Sequence, residues 1–174
     1  MIRKTKKNDL EKIITLYKKV AQIQDGIARN KSEINKNYVS GFLLPSLKNG
    51  LAFVAENPEN PKKLIAEIHC HKLGPKCFDH TLNDLTLVVD PDFHGQGIGY
   101  KIFSQLLEEA KTKHFDIARI ELSARQSNSK AHQLYKKLGF EIEGRMKNRI
   151  LNSQGELEDD YLFAWLNPNY QHPK

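Results

Sequence analysis

Cysteine is scarce: only Cys70 and Cys77 occur in 174 residues, too few for a disulfide framework. No apolar run approaches the roughly 20 residues that span a bilayer, and the N-terminus lacks the apolar core of a secretory signal. A cytoplasmic protein with no membrane attachment is therefore expected. Internal repeats, low-complexity tracts and linker-like stretches are also missing. At this length the chain is expected to form one α/β domain over residues 1–174, large enough to bury a core without disulfide or metal. The charge is modestly basic, 27 Lys and Arg against 21 Asp and Glu for a formal +6, which suits an anionic ligand. Nucleic acid is not the expected partner, because the basic residues are scattered over helix faces without aromatic–basic alternation or a recognition-helix signature.

Apolar periodicity supplies the elements. Leu10, Ile13, Ile14, Tyr17, Val20 and Ala21 fall on one helical face, with Asn8 as the expected N-cap and Glu11 three residues on. A weaker helical stretch runs from Ile34 to Leu47 and is expected to break at Gly41 and Pro45. Leu51 to Ala55 and Leu64 to His71 read as antiparallel strands, the second with Ala66, Ile68 and Cys70 on one face and Glu67, His69 and His71 on the other. Further strands are expected over 82–89 and 117–123, helices over 97–113 and 129–138, and a hairpin of 140–150 with 156–165 across Asn152-Ser153-Gln154-Gly155. Gly139 is placed to end the last helix in the left-handed region.

The most informative stretch is Leu87 to Tyr100, reading LVVDPDFHGQGIGY. An apolar strand runs into a glycine-rich turn that opens an amphipathic helix. Gly95, Gly97 and Gly99 let backbone approach a ligand in dihedrals closed to side chains, and the helix adds unpaired N–H groups and a positive dipole end. A diphosphate is the natural ligand. The stretch has no Gly-Lys-Ser/Thr ending of an ATP loop, and its glycine spacing differs from G-x-G-x-x-G.

Downstream, Asn128, Ala131, Leu134, Tyr135, Gly139 and Phe140 follow the pattern Asn-x-x-Ala-x-x-Leu-Tyr-x-x-x-Gly-Phe. Together with His94-Gly95-Gln96-Gly97-Ile98-Gly99 after Pro91, this resembles the GNAT superfamily of N-acetyltransferases, whose cradle reads Gln/Arg-x-x-Gly-x-Gly/Ala. The resemblance implies a mixed sheet flanked by helices, a GNAT-type acyl-CoA N-acyltransferase fold. It implies acetyl-coenzyme A as co-substrate and an amine acceptor. Cofactor contacts would come from His94, Gly95, Gln96, Gly97, Ile98, Gly99, Tyr100, Asn128 and Tyr135. His94 departs from the usual Gln or Arg, offering one N–H where guanidinium offers five. The family also implies backbone N–H donors at a bulge of the central strand, by position Val88 and Val89.

Within that resemblance Tyr135 is the expected general acid, since a phenol titrating near 10 is protonated at neutral pH; as a spacing-four neighbour of Ala131 it also reads as a core aromatic. Asn128 reads both as helix N-cap and as a partner for the pantetheine arm. Candidate bases are Glu67 and Asp84, with His69 and His71 beside them. His69, Cys70, His71, Cys77 and His80 are metal-ligating types, but alternation turns Cys70 away from both histidines and the spacing matches no zinc pattern, so no metal is expected. Glu156, Glu158, Asp159 and Asp160 read as a solvated hairpin able to attract a cationic acceptor. The acceptor is expected to be a small amine or amino acid, the alternatives being a protein or peptide N-terminus or, in another class, a non-catalytic acyl-coenzyme A sensor. Oligomeric state, a homodimer included, is left open.

Overall fold

The computed structural model describes residues 1–23 and 26–172. Seven strands form one sheet: β1 (Ile2–Lys4), β2 (Gly50–Glu56), β3 (Leu64–His71), β4 (Thr81–Val89), β5 (Arg119–Arg125), β6 (Glu141–Leu151) and β7 (Leu157–Leu166), in the order β1-β2-β3-β4-β5-β7-β6. Helices α1 (Leu10–Val20) and α2 (Lys36–Asn49) cover one face over β2 to β4, and α3 (Ile98–Lys113) and α4 (Ser129–Lys137) pack on the other. No helix among the described residues is long and apolar enough to cross a membrane.

Each face has its own core. Ile13, Tyr17, Val20, Val39, Phe42 and Leu43 meet Val54, Leu64 and Val88 on the α1/α2 face. Ile102, Phe103, Leu106 and Ala110 of α3 meet Phe53, Ala66, Ile68, Cys70, Ile120 and Leu122 on the other. The alternation read for β3 is thus realised, with Glu67 and His69 opposite Cys70.

Three local readings change. Asn8 does not cap α1: residues 7–9 form a tight turn, and the Asp9 carboxylate accepts from Lys6 N–H at 2.8 Å while holding Arg3 through two 2.8 Å bonds. Burial would raise the Asp9 acid, but Arg3 more than offsets that and holds it below its ordinary value. Helix α2 runs unbroken through Gly41 and Pro45. Val39, Phe42, Leu43 and Ser46 are buried, and that packing outweighs the missing proline N–H. Strand β1, too short to show periodicity, escaped the sequence reading; it forms because β2 offers an edge at Phe53, Val54 and Ala55.

The feature that positions the site is a split between the two parallel central strands. β4 and β5 pair only at Thr81↔Arg119 and Leu82↔Ile120. Beyond Leu82 the ladder stops, because β4 takes an extra residue against β3 between Asn83 and Thr86, and Asp84 stands at φ +53. Such a bulge increases twist and re-aims the strand. The sequence reading put this bulge at Val88 and Val89; it lies four residues earlier, where an aspartate tolerates the left-handed region better than a β-branched valine.

Candidate functional site

The cradle is built as its glycines require. Gly95 and Gly97 stand at φ +76 and +74, and a Cβ on either would meet no atom within 4 Å, so both backbones face open space. Gly97 caps α3 in the left-handed conformation, leaving the first-turn N–H groups of that helix pointing outward. Gly99 differs from the expectation: it is a helical residue whose Cβ would meet Leu87 and Val89 at 3.5 and 3.6 Å, ordinary contact. Its smallness serves helix–strand packing. Ile98 packs on the core, and Tyr100 is exposed with Lys137 Nζ 4.6 Å from its ring centre. Gln96 Nε2 reaches the Asp92 carbonyl at 3.5 Å, and Lys19 anchors the turn through Asp90 and Asp92 at 2.6 Å each.

His94 turns inward. Its Nε2 lies 3.0 Å from the Val89 carbonyl, so the ring holds the end of β4 against the cradle. Strand parity sorts the neighbouring amides: Asp90 N–H donates to Ile65, so Val88, two residues earlier, also faces β3, while Leu87 and Val89 face the split. Val88, buried among the α1/α2 core residues, does not present its amide to the split. By that parity Leu87, in place of the Val88 of the sequence reading, presents its N–H to the split.

The split opens into a cavity of about 1040 Å³ that passes from one face of the sheet to the other. On the α4 side it is lined by Tyr135, Asn128, Leu122 and Phe163; on the α2 side by Tyr38, Phe42, His69 and Thr86. Asn128 caps α4, its Oδ1 accepting from Ala131 N–H at 3.2 Å, which leaves its amide donors for a ligand. The Tyr135 ring packs on Phe103, Phe140 and Phe163, so it is a core aromatic and a cavity residue together. Its hydroxyl has no protein partner among the described residues, and burial pushes the phenol up to about 12.

On the opposite side Glu67 is fully buried and does not reach the cavity wall. It accepts from Tyr17 Oη at 2.7 Å and lies 3.1 and 3.2 Å from His69 Nδ1. Burial and the Glu67 charge push the Tyr17 phenol well up, which fixes it as a donor. His69 stacks on Phe42, ring centres 3.9 Å apart and 4° from parallel. With Nδ1 on the carboxylate, Nε2 is the nitrogen left to the cavity. Asp84, the other expected carboxylate, lines the cavity with its side chain 70% exposed and His71 Nε2 3.6 Å away. Burial lowers the His71 imidazole despite that carboxylate.

The acidic run corrects another expectation. Asp159 and Asp160 are buried; Asp159 accepts from Arg145 and from Asn148 N–H and so fastens the bulge of β6. The Asn148 amide, and after it Arg145, hold the Asp159 acid down. Asp160 lines the cavity. Neither aspartate stood out in the sequence from its exposed neighbour Glu156, because a bulged partner strand is invisible to alternation.

Known proteins resemble this chain in sequence and in fold. The acetyltransferase (GNAT) domain family matches residues 48–142. A Bacillus subtilis protein, provisionally assigned as an alanine N-acetyltransferase of ribosomal protein bS18, is 32% identical over 135 residues, 75% of this chain and 84% of that protein. Three further relatives are matched over 60%, 51% and 49% of their own length. Among solved structures, the ribosomal-protein-alanine N-acetyltransferase of Brucella melitensis superposes with a TM-score of 0.79 at 20% identity, covering 95% of this chain and 99% of that one. A Salmonella typhimurium protein, provisionally an acetyltransferase and solved with its cofactor acetyl-CoA, gives 0.78 at 18% identity over 100% and 97% of the two chains. By the family match and by these relatives, the chain belongs to the GNAT acetyltransferases and is an acyltransferase.

Proposed function

We propose that the protein transfers an acetyl group from acetyl-coenzyme A to a primary amine, a small amine or amino acid, by direct attack in a ternary complex. The observation that carries this reading is the cavity through the sheet, with the Tyr135 hydroxyl on the α4 side and His69 on the α2 side. The cradle fits a pyrophosphate, since Gly95 and Gly97 offer bare backbone to open space. Acetyl-coenzyme A supplies the activated thioester. The Leu87 and Val89 amides face the split and can hold the carbonyl oxygen as charge develops on it.

His69, oriented by Glu67, takes a proton from the incoming ammonium or its attacking nitrogen through Nε2. The C–N bond forms and the C–S bond breaks. Tyr135 gives its proton to the departing thiolate and regains one from solvent when the thiol leaves. A phenol held near 12 is a weak donor to a thiol titrating near 8.5. The same dry cavity raises the thiolate, which narrows the gap. Glu67 thus acts as a positioning residue for His69.

The test is thiol release with acetyl-coenzyme A over an amine panel, comparing wild type with His69→Gln across pH. Loss of the acidic limb of kcat/KM in the variant supports His69 as base; an unchanged profile removes it from that role. A second reading, acetylation of a protein N-terminus, is favoured by the assigned activity of the Bacillus relative. Peptides beginning with alanine belong in the same panel.

A further inference from the structure

We propose that the acceptor is an extended aliphatic polyamine with no carboxylate beside its reacting nitrogen, and that Asp160 is the residue that selects it. This rests on the acetyl-transfer reading above and names its substrate class. The argument is a count of satisfied charges around the cavity. Four arginines line it: Arg29 is held by Glu33 at 3.3 Å, Arg119 by Glu121 and Glu143, and Arg125 lies 3.9 Å from Glu158, whereas Arg149 has only a 3.4 Å contact with Asp160 and is half exposed. Among the described residues, every lining arginine that is mostly buried has a carboxylate beside it, and the half-exposed Arg149 is open to water.

The acids are not matched so well. Asp160 has a side chain only 5% exposed, its Oδ1 accepts no hydrogen bond, and its Oδ2 has Arg149 no nearer than 3.4 Å. A buried carboxylate with one loose ion contact is costly, and an ammonium delivered by a ligand would satisfy it. Asp84, also in the wall, faces His71, whose ring is disfavoured as a cation by burial. The cavity therefore holds a buried carboxylate oxygen without a partner at Asp160 and an exposed carboxylate at Asp84, and no mostly buried arginine without a carboxylate beside it.

Spacing sets the length of the acceptor. His69 pairs with Thr86 on β4, and Asp160 pairs with Arg125 on β5, at about the same height along the sheet and on the same face. Three strand spacings of roughly 4.8 Å put the two backbones about 14 Å apart, and the split adds to that. Less the reach of both side chains, that separation suits a chain with several methylenes between nitrogens. A short diamine would not bridge it.

Four acceptors decide the matter in a thiol-release assay with the full chain and acetyl-coenzyme A: spermidine, an amino alcohol of equal length, alanine, and an alanine-initiated peptide. Spermidine is expected to exceed the other three by at least about tenfold in kcat/KM, about 1.4 kcal/mol. Asp160→Asn, nearly isosteric, should cut the ratio of spermidine to amino alcohol by about the same factor, mainly through KM. Arg149→Gln, which frees Asp160, should raise that ratio. If the amino alcohol or alanine is used as well as spermidine, or if neither variant moves the ratio, the polyamine proposal falls while acetyl transfer stands. If only the peptide is turned over, the acceptor is a protein terminus. Should none of the four release thiol while acetyl-coenzyme A binds, both readings fall together.

Discussion

Between Val89 and Tyr100 everything offered to a ligand comes from one unbroken segment and is largely backbone: amides of Val89 and of the first turn of α3, bared by Gly95 and Gly97. Across the split, His69, Tyr38, Asp84, Arg149 and Asp160 come from β3, α2, β4, β6 and β7 and offer side chains. In the proposed reading the first region meets groups that every coenzyme A molecule carries, so it needs local conformation and no partner at a distance. The second faces the proposed acceptor, and its charges are set by which distant residues neutralise one another. Backbone sites tolerate side-chain change outside their glycines; side-chain sites change specificity with a single substitution.

The largest effect should come where the two regions meet. Tyr135→Phe keeps the packing on Phe103, Phe140 and Phe163 and removes the proton donor, so kcat should fall by about 10²–10⁴-fold while coenzyme A affinity and Tm stay near wild type. Turnover at the wild-type rate in a chemistry-limited step would leave Tyr135 as packing alone, and a retained cofactor site without turnover in wild type would favour a sensor. Because burial holds this phenol at about 12, it should stay protonated to about pH 10. An alkaline fall of kcat below that pH that disappears in Tyr135→Phe would contradict the assignment.

A smaller loss is expected within the cradle alone. Gly97→Glu places a side chain at positive φ and a like charge beside pyrophosphate, and should weaken coenzyme A by at least about tenfold with the circular dichroism spectrum unchanged. On the acceptor side, Glu67→Gln removes the charge that orients His69 and receives Tyr17. A fall of about tenfold in kcat/KM, with coenzyme A affinity kept, would separate the two regions by calorimetry and kinetics. A loss of coenzyme A affinity in this variant would mean that they are coupled.

The smallest effect should be at His94. Its Nε2 is already committed to the Val89 carbonyl, whereas an arginine could keep that bond and still present donors to phosphate. His94→Arg should tighten coenzyme A by only a few-fold, about 1 kcal/mol or less. Weaker binding would show that guanidinium cannot fit between β4 and the cradle.

The sequence by itself determined the elements whose signals are local. The glycine turn, the apolar face of α3, the Asn128 cap, the left-handed Gly139 at φ +87 and the hairpin turn at Asn152 are each written within a few consecutive residues. Local periodicity also placed Glu67 and His69 on one face of β3. Tertiary structure alone decided the rest. The bulge at Asp84 lets β4 stay paired with β3 while it diverges from β5, a relation among three strands that no single strand records. Helix α2 continues past Pro45 because buried neighbours hold it. Glu67 became a support for His69, and Asp160 a buried carboxylate in the cavity wall, through contacts with residues far along the chain. Charge, burial and partner are properties of a three-dimensional neighbourhood, and spacing along a chain does not encode which distant group will neutralise which.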